Sequence, residues 1–234
     1  MPQHVIFWVA GLTGLMALVF LLFPEIDLWV AGWFFLEPGR FVLTDTTTAW
    51  WLGEAVDFIV LAVLLGLLFG LTRCWRSGHQ SFGMNRRRIL YLLLVMLLGP
   101  GLMVNTVFKD NWGRARPLHV SEFGGDAQFT PPVLVAEQCE RNCSFVSGDA
   151  SVGFYFVALA FVFRRKWLRL MLFGGAAGLF LGFERMLQGA HFLSDVLFSG
   201  VVTFAVAWLL AQVFLPEDRV AWWPSVRGRP ASST

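Results

Sequence analysis

The sequence of this protein, 234 residues long, is short of charged residues. Only 15% of its residues are charged, whereas soluble globular domains have about 25%. Hydrophobic residues make up 56% of the chain, with 24 Phe and 11 Trp among them. This composition excludes a soluble domain, a disordered chain and a collagen-like repeat, and it predicts a membrane protein.

The chain also lacks a large excess of positive or negative charge. The formal net charge is +2, and the longest basic runs are the three-residue stretches at 86–88 and 164–166. Neither the sum nor the runs resemble a surface for nucleic acid, so a nucleic-acid partner is not predicted. The lipid bilayer is the expected environment.

Six apolar runs, each with at most one charged residue, are long enough, or nearly so, to cross a bilayer. They are residues 5–23, 55–72, 89–108, 147–163, 168–183 and 192–215. The sequence therefore predicts an all-α fold, an integral membrane bundle of six transmembrane helices forming a single domain over residues 1–234. Residues 26–37 are too short to span, and the spacing of Trp29 and Trp33 predicts a short interfacial helix, with a plain loop as the alternative.

The distribution of basic residues predicts the orientation of this bundle. If the N-terminus is cytoplasmic, most of the 18 basic residues fall in segments on the inner side. Enrichment of Lys and Arg on the cytoplasmic side therefore predicts an N-in, C-in topology. Residues 109–146 then form one large outer loop, and residues 216–234 form a cytoplasmic tail.

Cysteine is scarce, with three residues in the chain. Cys139 and Cys143 share the predicted outer loop, which leaves three interpretations open. They form a disulfide in an oxidising compartment, remain as two reduced thiols, or contribute to a metal site. A metal is the least favoured of these because no His or further Cys accompanies the pair.

Polar residues gather where the predicted spans reach the outer side. His191 and Asp195 are four residues apart, which predicts that both lie on one helix face. A carboxylate in that position orients the imidazole and leaves its other nitrogen free to act as a nucleophile. The alternative is a helix-cap pair without chemistry.

Three cations accompany this pair: Lys109, Arg116 and Arg185. Together they suit a dianionic phosphoryl group, although each arginine taken alone is also explained by snorkelling to lipid headgroups. Ser147 and Gly148 at the start of the fourth span add a hydroxyl and backbone N–H groups at a helix N-terminus. Arg114 is a candidate contact for a second phosphate.

These residues resemble the three-part signature of the type 2 phosphatidic acid phosphatase superfamily. The first part, Lys-x6-Arg-Pro, corresponds to Lys109, Arg116 and Pro117. The third part, Ser-Arg-x5-His-x3-Asp, corresponds to Arg185, His191 and Asp195, with Glu184 in place of the serine. The second part, Pro-Ser-Gly-His, appears as Val146, Ser147, Gly148 and Asp149.

The resemblance implies a metal-independent lipid phosphatase without a cofactor, in which His191 is the nucleophile and Asp195 orients it. It implies that the substrate phosphate is bound by Lys109, Arg116, Ser147, Gly148 and Arg185. The implied substrates are phosphatidic acid, phosphatidylglycerol phosphate, prenyl pyrophosphates or lipid A. The implied location is the bacterial inner membrane, with the active site facing the periplasm.

Residues 142–148, together with residues 123–125, are similar to the bacterial lipid A phosphatases of this superfamily. The expected reaction is dephosphorylation of a membrane lipid through a phospho-histidine. A lipid phosphotransferase with the same site, or a non-catalytic protein that binds lipid phosphates, remains as an alternative.

Asp149 departs from the family pattern, because family members have a histidine there that acts as general acid. Aspartate is ionised near neutral pH in its reference state, and losing a general acid typically lowers the rate about 10²- to 10⁴-fold. The expectation is therefore an impaired or inactivated form. Three explanations stay open: an engineered change, which we favour because the other parts are intact; a natural variant in which protonated Asp149 is the acid; or a lineage that kept binding and lost turnover.

Overall fold

The computed structural model describes residues 3–215, with side chains from Phe7 onwards. The predicted cytoplasmic tail at 216–234 lies outside the described residues. The chain begins with helix α1 (Gln3–Leu22) and the short helix α2 (Glu25–Gly32). Proline at position 24 disfavours continuation of the first helix, and the axis turns by 80° between the two.

A small β-hairpin follows. The fold is therefore mostly helical, and the prediction of an all-α fold was wrong about this segment. Strand β1 (Phe35–Glu37) pairs antiparallel with β2 (Arg40–Phe41). The turn contains Gly39 at φ +74°, a backbone conformation that glycine adopts without strain. Phe35 and Phe41 pack against Phe123 of the long loop, with ring centroids 5.2 and 5.3 Å away. This aromatic cluster holds the hairpin over one end of the bundle.

Four long helices dominate the described chain. They are α3 (Thr47–Ser77), α4 (Arg86–Met96) with its continuation to Asn111, α8 (Trp167–Leu187) preceded by the 3₁₀ turn Arg164–Lys166, and α9 (Leu193–Phe214). Within residues 3–215, these four are long and apolar enough to cross a membrane, and α1 with α2 makes a fifth if the bent pair is one span. Six spans and the N-in, C-in topology stay predictions.

The predicted fourth span is short and broken. It consists of α6 (Gly148–Tyr155) and α7 (Ala158–Val162), which pack against α8 and α9 rather than forming a membrane-length helix. Small residues on α8 allow this close packing. A Cβ at Gly178 would lie 2.4 Å from the ring of Phe154, and one at Gly174 would lie 2.5 Å from the Val157 nitrogen.

The third predicted span changes helix type before it reaches the site. After Met96 it continues as a π-helix, Leu97–Phe108, and ends in the short helix α5 (Lys109–Asn111). Pro100 lies inside this segment and has no N–H to donate, which favours a local departure from the α pattern. The side chain of Asn105 donates to the Pro100 carbonyl at 2.8 Å, and so supports the wider turn.

The chain directions bring the candidate site residues to one end of the bundle. The segment ending in α5 runs towards this end, α6 and α9 begin there, and α8 finishes there. The Ser147 N–H donates to the Asp195 carbonyl at 3.2 Å, and the Leu118 N–H donates to the Gly189 carbonyl at 2.9 Å. The loop at 112–146, which includes the 3₁₀ turns Pro117–His119 and Ser121–Phe123, covers this end.

Candidate active site

His191 lies just before α9, whereas its spacing from Asp195 predicted that both lie on one helix face. The helix begins at Leu193 because the Asp195 side chain turns back and accepts the Phe192 backbone N–H at 2.7 Å, an N-terminal capping contact. The Nδ1 atom of His191 faces Oδ2 of Asp195 at 3.7 Å. That distance is longer than a hydrogen bond, so Asp195 is a neighbour of the imidazole without binding it directly.

Other groups satisfy the carboxylate of Asp195. The Ser144 hydroxyl donates to Oδ2 at 2.5 Å, and Arg114 Nη1 donates to Oδ1 at 2.6 Å. The Arg114 guanidinium is completely buried and also reaches Asp27 at 2.8 Å. It stacks over the Phe192 ring, whose centroid lies 4.3 Å from Cζ. The suggestion that Arg114 contacts a second phosphate is therefore wrong, because buried carboxylates occupy its donors.

Helix α2 joins this network through Asp27. Its carboxylate accepts the Ser194 backbone N–H at 2.9 Å and the Ser194 hydroxyl at 2.5 Å, in addition to Arg114. Both side chains are fully buried. The first turn of α9, on which Asp195 lies, is thus fixed from two directions, by α2 and by the long loop.

The surroundings of His191 favour a neutral imidazole. The residue is only 4% exposed, and burial lowers its pKa below the ordinary value, against the opposing effect of Asp195. The positive charges of Lys109 and Arg116 act in the same direction as burial. In the described part of the chain its Nδ1 has no hydrogen-bond partner. A neutral imidazole is the form that is nucleophilic.

Lys109 and Arg116 are cations without matching anions. Lys109 begins α5, and Arg116 lies in the long loop, where its guanidinium donates to the Asn142 carbonyl at 3.0 Å. Among residues 3–215, neither forms an ion pair with a carboxylate. Two partly buried positive charges without counterions are suited to binding an anion.

The start of α6 lies beside Lys109. Ser147 caps the helix, and its hydroxyl accepts the Ala150 N–H at 3.5 Å. A Cβ at Gly148 would come within 2.8 Å of Asn105 Oδ1 and 3.1 Å of Lys109 Nζ, so the lysine approaches the backbone where only glycine leaves room. The first N–H groups of a helix have no partner within it and attract anions.

Arg185 is the one cation of the predicted group that has a carboxylate partner. Its Nε is in close contact with Asp149 Oδ2, and its Nη1 donates to Gln188 Oε1 at 2.8 Å. Glu184, which replaces the family serine, lies 3.7 Å from the Arg185 Nε. In the structure, Asp149 therefore forms an ion pair with Arg185, whereas Lys109 and Arg116 have no such partner in the described chain.

The two cysteines of the outer loop form a disulfide in the structure, which is one of the three interpretations that the sequence left open. The backbone N–H of Cys143 donates to the Lys109 carbonyl at 3.0 Å. Asn142, the neighbouring residue, receives the hydrogen bond from Arg116. The disulfide thus closes the segment that touches both unpaired cations.

The sequence did not identify three residues of this region. Asp27 was detectable as an acidic residue within an apolar segment, where a buried charge usually has a partner. Ser144 and Asn105 carried no comparable signal. Their positions depend on how the long loop and the π-helix fold.

Membrane-length helices, with two partly buried cations and a buried histidine at one end of the bundle, define a class: multi-pass membrane proteins with a polar site at one end. The family model of the PAP2 superfamily matches residues 88–219. Because the match covers more than half of the chain, this protein belongs to the PAP2 superfamily, and the resemblance found in the sequence is confirmed.

Relatives with curated names agree with this family. The chain is 38% identical over 202 residues to a lipid A 4'-phosphatase of Francisella tularensis subsp. novicida (strain U112), covering 82% of this chain and 87% of the relative. It is 31% identical over 211 residues to a lipid A 4'-phosphatase of Rhizobium leguminosarum, covering 83% and 91%. A lipid A 4'-phosphatase of Rhizobium etli is 32% identical over 211 residues, covering 83% and 82%. No solved structure matches the chain.

Proposed function

We propose that this protein removes a phosphate group from lipid A through a phosphorylated intermediate on His191. Three relatives named lipid A 4'-phosphatase, similar over most of their length, support this substrate. The observation that carries the reaction is the state of His191: it is buried, its pKa is lowered, and the charges of Lys109 and Arg116 act on it. Those cations have no carboxylate partners in the described chain, so they are free to bind a phosphate dianion.

In the binding step, the phosphate dianion lies between Lys109, Arg116 and the N-terminus of α6. The backbone N–H groups at Gly148 and its neighbour donate to phosphate oxygens. Arg185 leaves its contact with Asp149 and binds another oxygen, because a guanidinium matches the geometry of a phosphate. Side-chain cations thereby neutralise the charge that a metal neutralises in other phosphatases, and the proposal includes no metal.

In the transfer step, the Nε2 atom of His191 attacks phosphorus and the bond from phosphorus to the sugar oxygen breaks. Protonated Asp149 gives its proton to this leaving oxygen, so the sugar departs as an alcohol. Positioning and charge neutralisation supply most of the rate enhancement in phosphoryl transfer.

In the hydrolysis step, a water molecule attacks the phospho-histidine and the phosphorus–nitrogen bond breaks. The carboxylate of Asp149 accepts the proton of this water. Inorganic phosphate leaves, and His191 returns to its neutral form. The roles of Asp149 reverse between the two steps, as general acid–base catalysis requires.

Asp149 limits the rate in this proposal, because it occupies Arg185 in the absence of substrate and is a weaker proton carrier than histidine near neutral pH. We therefore expect Asp149→His to increase phosphate release and Asp149→Asn to lower it about 10²- to 10⁴-fold. Equal rates in all three forms would contradict the role of Asp149 as acid.

The positions of the basic residues support one orientation of the bundle in the membrane. The basic residues at 86–88 and 164–166 are at the opposite end of the bundle, where α4 begins and α7 finishes. Basic residues concentrate on the cytoplasmic side. We therefore place the site at the periplasmic face of the inner membrane.

The test is phosphate release from lipid A by the purified protein in detergent, with and without a chelator. We expect free inorganic phosphate in both conditions and none from His191→Ala. His79→Ala is the matched control, because this exposed histidine lies at the other end of the bundle. Phosphate that appears only on an acceptor lipid would show phosphotransfer, and binding without product would show a non-catalytic protein.

A further inference from the structure

A cavity of about 700 Å³ opens beside Arg185 and Asp149. Its opposite wall is the start of α3, where Trp50, Glu54 and Asp57 line the space. These residues follow a spacing of three or four, so one face of the helix carries all of them. The volume is within the range of about 300–1,000 Å³ that is typical of ligand-binding pockets.

The cavity lies on the side of the phosphate site where the leaving group of the proposed reaction would be. Arg185 and Asp149 belong both to the cavity wall and to the phosphate site. If Asp149 protonates the leaving oxygen, the alcohol that carries this oxygen lies on the Asp149 side of the phosphate. That side is the cavity, so the group attached to the phosphate occupies it.

The lining is suited to a polar, uncharged ligand that has many hydroxyl groups. Asp45, Glu54 and Asp57 are exposed carboxylates that accept hydrogen bonds, and the Gln188 amide both donates and accepts. The Trp50 indole is 57% exposed and offers an apolar face against which a sugar ring packs.

We propose that this cavity binds the glucosamine headgroup of lipid A, with Trp50 beneath the sugar ring and the α3 carboxylates on its hydroxyl and amide groups. This inference rests on the proposed function and adds a basis for its specificity. A glycerol-based or prenyl leaving group has few or no hydroxyls to satisfy the carboxylates. The cavity therefore selects a sugar phosphate over other lipid phosphates.

The test compares Trp50→Ala and Asp57→Ala with wild type in the purified full-length protein. Two constants are measured: the KM for lipid A and the inhibition constant of inorganic phosphate, which occupies only the phosphate site. We expect the KM for lipid A to rise roughly threefold to tenfold, with the inhibition constant of phosphate unchanged. Neither constant depends on the fraction of folded enzyme, so partial misfolding does not imitate this result.

Trp75→Ala is the matched control. Trp75 lies near the other end of α3 and is 72% exposed, and it does not line the cavity, so its variant should keep the wild-type KM. Unchanged KM values in both cavity variants would overturn the inference, as would an equal rise for phosphatidic acid, which has no sugar. If the wild-type protein releases no phosphate from lipid A, the proposed function is wrong, and the cavity proposal that rests on it is wrong too. If the wild type is active but the cavity variants keep its KM, only the cavity proposal is wrong.

Discussion

Arg114 and Asp195 form an ion pair of 2.6 Å in which both side chains are completely excluded from solvent. Asp27 shares the same guanidinium at 2.8 Å. One positive charge therefore balances two buried carboxylates, one from α2 and one from the helix that follows His191. This network, rather than a direct hydrogen bond from His191 to Asp195, determines the position of the backbone that carries His191.

Removing the Arg114 charge should destabilise the protein strongly. In Arg114→Met, two buried carboxylates lose their counterion, and breaking such a pair costs about 3–5 kcal/mol of stability. Arg114→Lys should restore only part of this, because an ammonium group does not reproduce the guanidinium fork. The measurement is denaturant-induced unfolding in detergent.

Arg40→Met is the control for this prediction. Arg40 pairs with Glu37 at 2.9 Å, but both side chains are largely exposed, and surface pairs contribute about 0–1 kcal/mol. If Arg114→Met and Arg40→Met unfold at the same denaturant concentration, the buried network is not important for stability.

The acid limb of the pH–activity profile should reflect the lowered pKa of His191. Burial lowers the pKa of His191 below its ordinary value of 6.5, and the neutral form predominates at every pH above that pKa. The acid limb of kcat/KM should therefore lie below pH 6.5. Lys109→Met removes a charge that lowers the pKa of His191, so the limb of the residual activity should move to higher pH. An acid limb above pH 6.5 in the wild type would contradict a neutral buried nucleophile.

Reducing the disulfide should weaken substrate binding. The segment closed by Cys139 and Cys143 contacts the Lys109 carbonyl and accepts a hydrogen bond from Arg116. Loss of one hydrogen bond, about 1 kcal/mol, raises the KM roughly fivefold. Steady-state kinetics with and without a reductant measure the effect.

Cys74→Ser provides the reference for this experiment, since Cys74 is a free, buried cysteine outside the loop. This variant should keep its response to reductant, whereas Cys139→Ser should have the high KM under both conditions. A KM that reductant leaves unchanged in every form would exclude a role for the disulfide in the phosphate site.

Gly148→Ala should reduce activity without unfolding the protein. The added Cβ would come within 2.8 Å of Asn105 Oδ1 and 3.1 Å of Lys109 Nζ, so both side chains must shift. The shift is smaller than the 1 Å displacement that lowers rates about 10²-fold, so we expect a loss of less than about 10²-fold. Gly175→Ala is the comparison, because nothing lies within 4 Å of a Cβ there. Similar kcat/KM values in the two variants would show that Lys109 does not need its present position.

Apolar runs located most helices, because a membrane span requires a minimum length of apolar chain. The sixth predicted run, 192–215, corresponds closely to α9. The sequence places the start of this span at residue 55 instead of Thr47, because Glu54 interrupts the apolar run, although Asp57 lies within it. Those two residues face the cavity, and Thr46 caps the helix by accepting the Ala49 N–H at 3.2 Å.

The residues of the candidate site were accessible to sequence reasoning where a short motif contains them. The pair formed by Arg114 and Asp27 was not, because 87 positions separate them and no local spacing connects the short helix α2 with the long loop. The geometry of His191 was also missed. Its spacing from Asp195 predicted a shared helix face, but the capping contact of Asp195 starts the helix after His191.

The most direct test of the central claim is to trap the phosphorylated protein during turnover of lipid A labelled in its phosphate group. We predict an acid-labile label on His191 that forms before free phosphate accumulates and is absent from His191→Ala. Phosphate release by wild-type protein with no covalent label, or a label that persists in His191→Ala, would contradict the account.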